Sequence, residues 1–310
     1  MKLALLALLT LSTAASASAA AYYVTVAGLG GTPEYEAQFA KWSTELDRCL
    51  RVNGPDAHIE TLAGNAATRA GLERTLEQVA AQLQPDDDFA LLLIGHGTFD
   101  GTDYKFNLPG PDITARELAL LLNRIPARQQ LIVNMTSASG ACLGALAKKD
   151  RIIITATKSG NEKNATVFAR YWIDALRDPA ADTNKDGAVS ALEAFHYAES
   201  KTAGYFAAEK LLATEHPLLS DTGEAKGVRD PRPENGNGLR AAAFPMVRPP
   251  TETATSNDPV KQRLLAKKQQ LEARIDKLKY QKAALSAEDY KQQLSSLLLD
   301  LARTQAEIDK

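Results

Sequence analysis

The chain has 310 residues and a formal net charge of −2, from 36 basic and 38 acidic side chains. So mild a balance argues against nucleic acid as the main partner. Its two cysteines, Cys49 and Cys142, stand far apart. In an oxidising compartment they can pair, and two buried free thiols fit the sequence equally well.

Residues 1–19 open with Lys2, continue through an apolar run from Leu3 to Leu11, and end on Ala17-Ser18-Ala19. Those three regions form a secretory signal peptide, too short for a membrane span, which directs the mature chain to the periplasm or outside the cell. Its removal leaves about 290 residues, enough for one sizeable α/β domain and an appendage. No later stretch is long and apolar enough to be a transmembrane segment.

The first expected strand is 21–27, and Gly28-Leu29-Gly30-Gly31 follows it. That turn lacks the third glycine of a dinucleotide fingerprint, so it reads as a close turn beside the functional face. Helical spacing of apolar residues marks 35–50 and 67–83 as crossover helices, with a short strand at 57–62 between them. A buried strand at 89–97 (FALLLIGHG) ends on His96 and Gly97. The polar stretch 98–111, with Asp100, Asp103, Tyr104 and Phe106, suits a surface hairpin or a substrate-side loop. Thr114 and Glu117 form a capping box for a helix that turns Leu118, Leu121 and Leu122 inward and ends before Pro126. Residues 130–140 (QLIVNMTSASG) then read as a buried strand entering a tight turn that presents Ser137. A further strand at 152–157 carries Lys158-Ser159-Gly160-Asn161 at its end. Short apolar runs alternating with helices predict a mainly parallel α/β sheet, whose reacting groups gather at the strands' carboxyl ends.

A strand ending in His-Gly, then a helix and a strand ending in X-x-Ser-Gly, resembles the caspase/legumain-like superfamily of cysteine peptidases, especially its legumain-like branch. The resemblance covers roughly 22–219 and implies a caspase-like three-layer sandwich. It places His96-Gly97 on the family's histidine motif and Ser137-Ala138-Ser139-Gly140 on its cysteine motif, with the 158–161 loop beside the substrate cleft. The nucleophile position therefore holds serine. A thiol beside histidine ionises readily, whereas a serine hydroxyl needs an oriented base and normally a third group that fixes its tautomer. Cys142 lies about 140° around a helix from Ser137 and points away.

Three readings of Ser137 follow. The chain can be a peptidase homologue that keeps the cleft for a peptide or protein ligand, with little or no thiol-protease activity. It can be a hydrolase with Ser137 as nucleophile, His96 as general base, and the Gly97 and Ser137 N–H groups as oxyanion hole. Or TSASG can be only a strand-to-helix cap, with Ser139 or Thr136 satisfying main-chain donors.

Residues 182–193 match an EF-hand loop: Asp182, Asn184 and Asp186 at positions one, three and five, Gly187 at six, and Glu193 at twelve. The expected ligands are those three side chains with the Ala188 carbonyl, Ser190 and Glu193, holding a structural calcium ion between helices at 166–176 and 191–212; the alternative is a decayed loop whose carboxylates simply cap the helix. Glu215 and His216, adjacent before Pro217, can belong to a site, although residues so placed in a turn are more often structural. The main domain is expected to span 20–243. Residues 244–258 are rich in proline and threonine and read as a linker. Beyond it, Leu264, Leu271, Leu278 and Leu285, then Leu294, Leu298, Leu301 and Ile308, mark a helical hairpin over 259–310. That hairpin is a candidate surface for self-association or partner binding.

Overall fold

The computed structural model describes residues 19–248, 258–280 and 285–309. The signal-peptide reading, apart from Ala19, and most of the expected linker lie outside the described residues. The chain runs β1 (Ala21–Ala27), α1 (Pro33–Leu50), β2 (Ala57–Leu62), α2 (Arg69–Gln82), β3 (Asp88–Ile94), β4 (Gly97–Phe99), β5 (Tyr104–Phe106) and β6 (Ile113–Thr114). It continues through α3 (Ala115–Leu122), β7 (Gln129–Asn134), α4 (Leu143–Leu146), β8 (Arg151–Thr155), α5 (Phe168–Ala175), β9 (Val189–Ser190) and α6 (Ala191–Ala208). Then come β10 (Leu218–Ser220), α7 (Leu239–Ala242), β11 (Pro245–Val247), α8 (Pro259–Tyr280) and α9 (Ala287–Ile308).

The strands are unbroken apolar runs because both of their faces are covered. Every residue of β3, β7 and β8 is buried. They form a six-stranded sheet in the order β10-β8-β7-β3-β1-β2, parallel except for β10. Alternate residues feed two helical layers. Leu92, Leu131 and Ile152 pack with Phe39 and Trp42 of α1 and with Trp172 of α5 and Phe195 of α6. Leu91, Ile132 and Ile153 face Leu72 of α2, Leu118 of α3 and Leu146 of α4. The α/β, mainly parallel architecture expected from the sequence is therefore what the chain adopts. Strand order reverses between β1 and β3, so the crevice at their carboxyl ends is the natural place for a site. The Gly28 turn follows β1 there, and His96 follows β3.

Several boundaries differ from the sequence reading. The 98–111 stretch is a hairpin, β4 against β5, and Tyr104 and Phe106 are buried in the α2–α3 layer rather than offered to a substrate. The domain runs on past 243. β11 pairs with β9, Met246 is fully buried, and Asn53 ties the strand down through the Met246 carbonyl and the Arg248 N–H. Cys49 and Cys142 are free and buried in opposite layers, so they do not pair. In the tail, α8 and α9 pack through Leu271, Ile275, Leu278 and Leu297. The stripe expected through Leu298 runs through Leu297, because a helix of 3.6 residues per turn drifts from a strict heptad; Leu298 and Leu299 are exposed. No described helix is long and apolar enough to cross a membrane.

Candidate functional site

His96 and Ser137 both sit at the carboxyl edge of the sheet, after the neighbouring strands β3 and β7. The two motifs meet through Gly97. The Ser137 Oγ accepts a hydrogen bond from the Gly97 N–H (3.1 Å) and donates one to the Gly97 carbonyl (3.1 Å). Ser137 is only 2% exposed, so its turn does not present it to solvent. The His96 ring is half-buried and lies edge-on to Tyr35 and Phe39 of α1, with centroid separations of 4.7 and 5.1 Å. Burial pushes its pKa down, against the opposing pull of a hydrogen bond to the Gly30 main chain. Among the described residues no hydrogen bond joins His96 to Ser137.

Gly97 has a packing reason to be glycine. A Cβ there would stand 2.5 Å from the Ser137 carbonyl oxygen and 2.7 Å from Thr136 Oγ1. Its N–H, one of the two donors expected in an oxyanion hole, is already occupied by the serine hydroxyl.

The rest of the turn is held by its small polar side chains. Thr136 Oγ1 bonds Asn134 Oδ1 (2.8 Å) and Tyr104 Oη (2.6 Å), while Asn134 Nδ2 donates to Cys142 Sγ (3.5 Å). Burial raises the Cys142 thiol to about 12, so it is inert. Ser139 does not cap the short helical turn after it. Its Oγ accepts from the Thr157 N–H (3.1 Å), and Thr157 Oγ1 accepts from Gly140 N (3.0 Å), which stitches the turn to the end of β8. Ala138 holds a left-handed φ of 54°, which is strained for alanine, and its N–H donates to the Glu162 carbonyl (2.7 Å).

Glu162 leads to residues that the sequence reading passed over. Its side chain accepts from the Lys158 N–H (2.8 Å), and its other carboxylate oxygen meets His216 Nδ1. Beside His216, the buried Glu215 carboxylate accepts from Val167 N (2.7 Å) and Phe168 N (3.1 Å) at the start of α5. Burial nevertheless raises Glu215 to about 7, because desolvation outweighs those two donors. Among the described residues, His216 is the only one of the four histidines to bond a carboxylate. Glu215, bonded to two main-chain N–H groups, fits the structural reading of this turn, whereas the tie from His216 to Glu162 was not foreseen. Glu162 lies 54 residues from His216, and no local motif links them.

The 182–193 loop has the turn geometry of its motif. Asp182 accepts from Asp186 N (3.2 Å) and Gly187 N (3.1 Å), Asn184 Oδ1 from Asp186 N (2.9 Å), and Asp186 from Ala188 N (2.9 Å). Lys185 and Gly187 take positive φ angles of 62° and 81°. Glu193 closes a capping box with Ser190 and also accepts from Thr183 N (2.9 Å) and Asn184 N (3.2 Å). The Ala188 carbonyl follows in the loop. Among the described residues no three His, Cys, Asp or Glu side chains converge as a metal-binding group. The oxygen-only donor set is of the type that hard cations take.

No family model matches the chain. No curated protein matches it either. Among solved structures, protein GSU0716 from Geobacter sulfurreducens resembles it with a TM-score of 0.44 and 14% identity, over 70% of this chain and 96% of that one. The Drosophila initiator caspase Dronc resembles it with a TM-score of 0.43 and 11% identity, over 68% of this chain and 82% of that one.

Proposed function

We propose that this chain is a secreted caspase/legumain-like peptidase homologue that binds a peptide or protein ligand and does not cleave it. One observation carries the reading: the Ser137 hydroxyl is bonded at both ends to the Gly97 main chain, with no bond to His96. A serine nucleophile needs a base on its hydroxyl, which this arrangement does not supply, and the hydroxyl itself occupies the Gly97 N–H, one of the two expected oxyanion donors. The active-hydrolase alternative requires Oγ to leave Gly97 and reach His96. Peptidase activity over a mixed peptide library, with calcium present, separates the readings. Wild type and Ser137→Ala are expected to be equally inactive. Cleavage by wild type that Ser137→Ala abolishes would establish the hydrolase, and cleavage by Ser137→Cys alone would mark an intact cleft without its nucleophile.

Calcium in the 182–193 loop belongs to the same proposal, as a structural ion clamping α5 to α6. Asp182, Asn184, Asp186, the Ala188 carbonyl, Ser190 and Glu193 would hold it, and the hydrogen bonds of Asp182 and Asp186 to the loop main chain support the assignment by pre-forming the turn. Calcium should raise the melting temperature of wild type and leave Asp182→Asn unmoved; no shift in wild type would remove the ion from the account. The tail hairpin is proposed as a self-association surface, and sedimentation with and without residues 258–310 tests it.

A further inference from the structure

A cleft of about 260 Å³ opens between α6 and the segment leading into β10, separate from the Ser137 turn. Phe206 and Leu211 give it apolar walls, and Glu199, Glu215, His216 and Arg229 give it polar ones. The Glu162 carboxylate accepts at Nδ1, so Nδ1 carries the hydrogen, and in that tautomer Nε2 is the nitrogen left to accept. Among the described residues Nε2 has no hydrogen-bond partner. This is how a carboxylate orients an imidazole for use at its second nitrogen.

The charge of the cleft decides what can use it. Glu199 faces a single guanidinium, Arg229, while the Glu162 carboxylate that holds the ring is itself paired with the Lys158 ammonium at 3.6 Å. Glu215 has both carboxyl oxygens already bonded to main-chain N–H groups, so it offers no acceptor to the cleft. Glu199 is the carboxylate within reach of a ligand. Arg229 approaches it at 3.8 Å from an exposed position, so the protein's own basic side chain already shows that Glu199 takes a cation. Apolar walls ending in acceptors suit a methylene stem with a charged amine at its tip.

We propose that this cleft binds a primary ammonium group on an apolar stem, either a lysine side chain of a partner protein or a free alkylamine, with Glu199 as counter-charge and His216 Nε2 as acceptor. Arg229 then competes with the ligand for Glu199. The proposal stands independently of whether Ser137 is catalytic.

The test uses the full mature chain and four probes: Nα-acetyl-lysine methylamide, its norleucine isostere, n-pentylamine and pentanoate. Binding is read by calorimetry and by the NMR signal of the His216 ring. The lysine or pentylamine probe is expected to bind saturably and shift that signal, while norleucine and pentanoate do neither. A tighter lysine probe identifies the occupant as a protein side chain, and a tighter pentylamine identifies it as a free amine. Glu199→Gln should weaken the amine about fivefold, the scale of one exposed ion pair. Arg229→Ala should tighten it by a similar factor, since it vacates the carboxylate. Both positions are at the surface, and circular dichroism checks that the fold is kept. Absence of saturable amine binding, preference for pentanoate, or weaker amine binding in Arg229→Ala would each overturn the proposal.

Discussion

Replacing Ser137 with alanine removes one hydroxyl that satisfies two main-chain groups. In the wild type that hydroxyl accepts from Gly97 N–H and donates to Gly97 C=O, at a position 2% exposed and closed to water. A buried polar group left without a partner costs about 1 to 3 kcal/mol, and a donor suffers more than a carbonyl. The expected loss for Ser137→Ala is therefore about 2 to 3 kcal/mol. Urea unfolding followed by tryptophan fluorescence measures it, since the chain has two tryptophans and both Trp42 and Trp172 are buried in the α/β domain. With m near 3 kcal/mol/M, the midpoint should fall by about 0.7 to 1 M. A nucleophile poised in an open cleft behaves the other way, because active-site groups are held at a cost to stability. An unchanged or higher midpoint would refute the structural role.

Gly97→Ala should be at least as damaging, costing about 3 kcal/mol, because its Cβ meets main chain at 2.5 Å where nothing flexible can yield. A midpoint within 0.3 M of wild type, taken as about 1 kcal/mol at the same m, would contradict that packing. Cys49 and Cys142 are both buried with thiols pushed up by burial, so a disulfide-exchange reagent should titrate no thiol in the native protein and both in denaturant. Rapid native labelling of either would contradict their placement. Glu215 is raised from 4.5 to about 7, chiefly by burial. Between those values the folded state binds the proton and the unfolded state does not. The contribution is thus complete below pH 4.5 and lost as pH rises through 7. Relative to Glu215→Gln, wild type should lose about 3 kcal/mol over that interval, and a flat difference would mean that Glu215 is not desolvated.

Much of the architecture was legible in residue order. β1 and β2 fall at their expected bounds because apolar runs flanked by turn formers leave little choice. The capping box Thr114–Glu117 is formed, since it needs only residues three apart. Where partners are distant, sequence had no hold. That Ser137 is turned onto Gly97 depends on two strand ends 40 residues apart. The Glu162–His216 pair joins two irregular segments with no periodicity to expose them. β11 was hidden because Pro245–Val247 is too short to stand out from a proline-rich stretch, and only its pairing with β9 makes it a strand.

The most direct test of the central claim is fluorophosphonate labelling of the native mature chain, read by intact mass and by the modified peptide. A serine bonded at both ends to Gly97 and lacking a base should remain unlabelled over hours at neutral pH. Stoichiometric label on Ser137, lost in His96→Ala, would show that the hydroxyl turns to His96 and that the chain is a serine hydrolase.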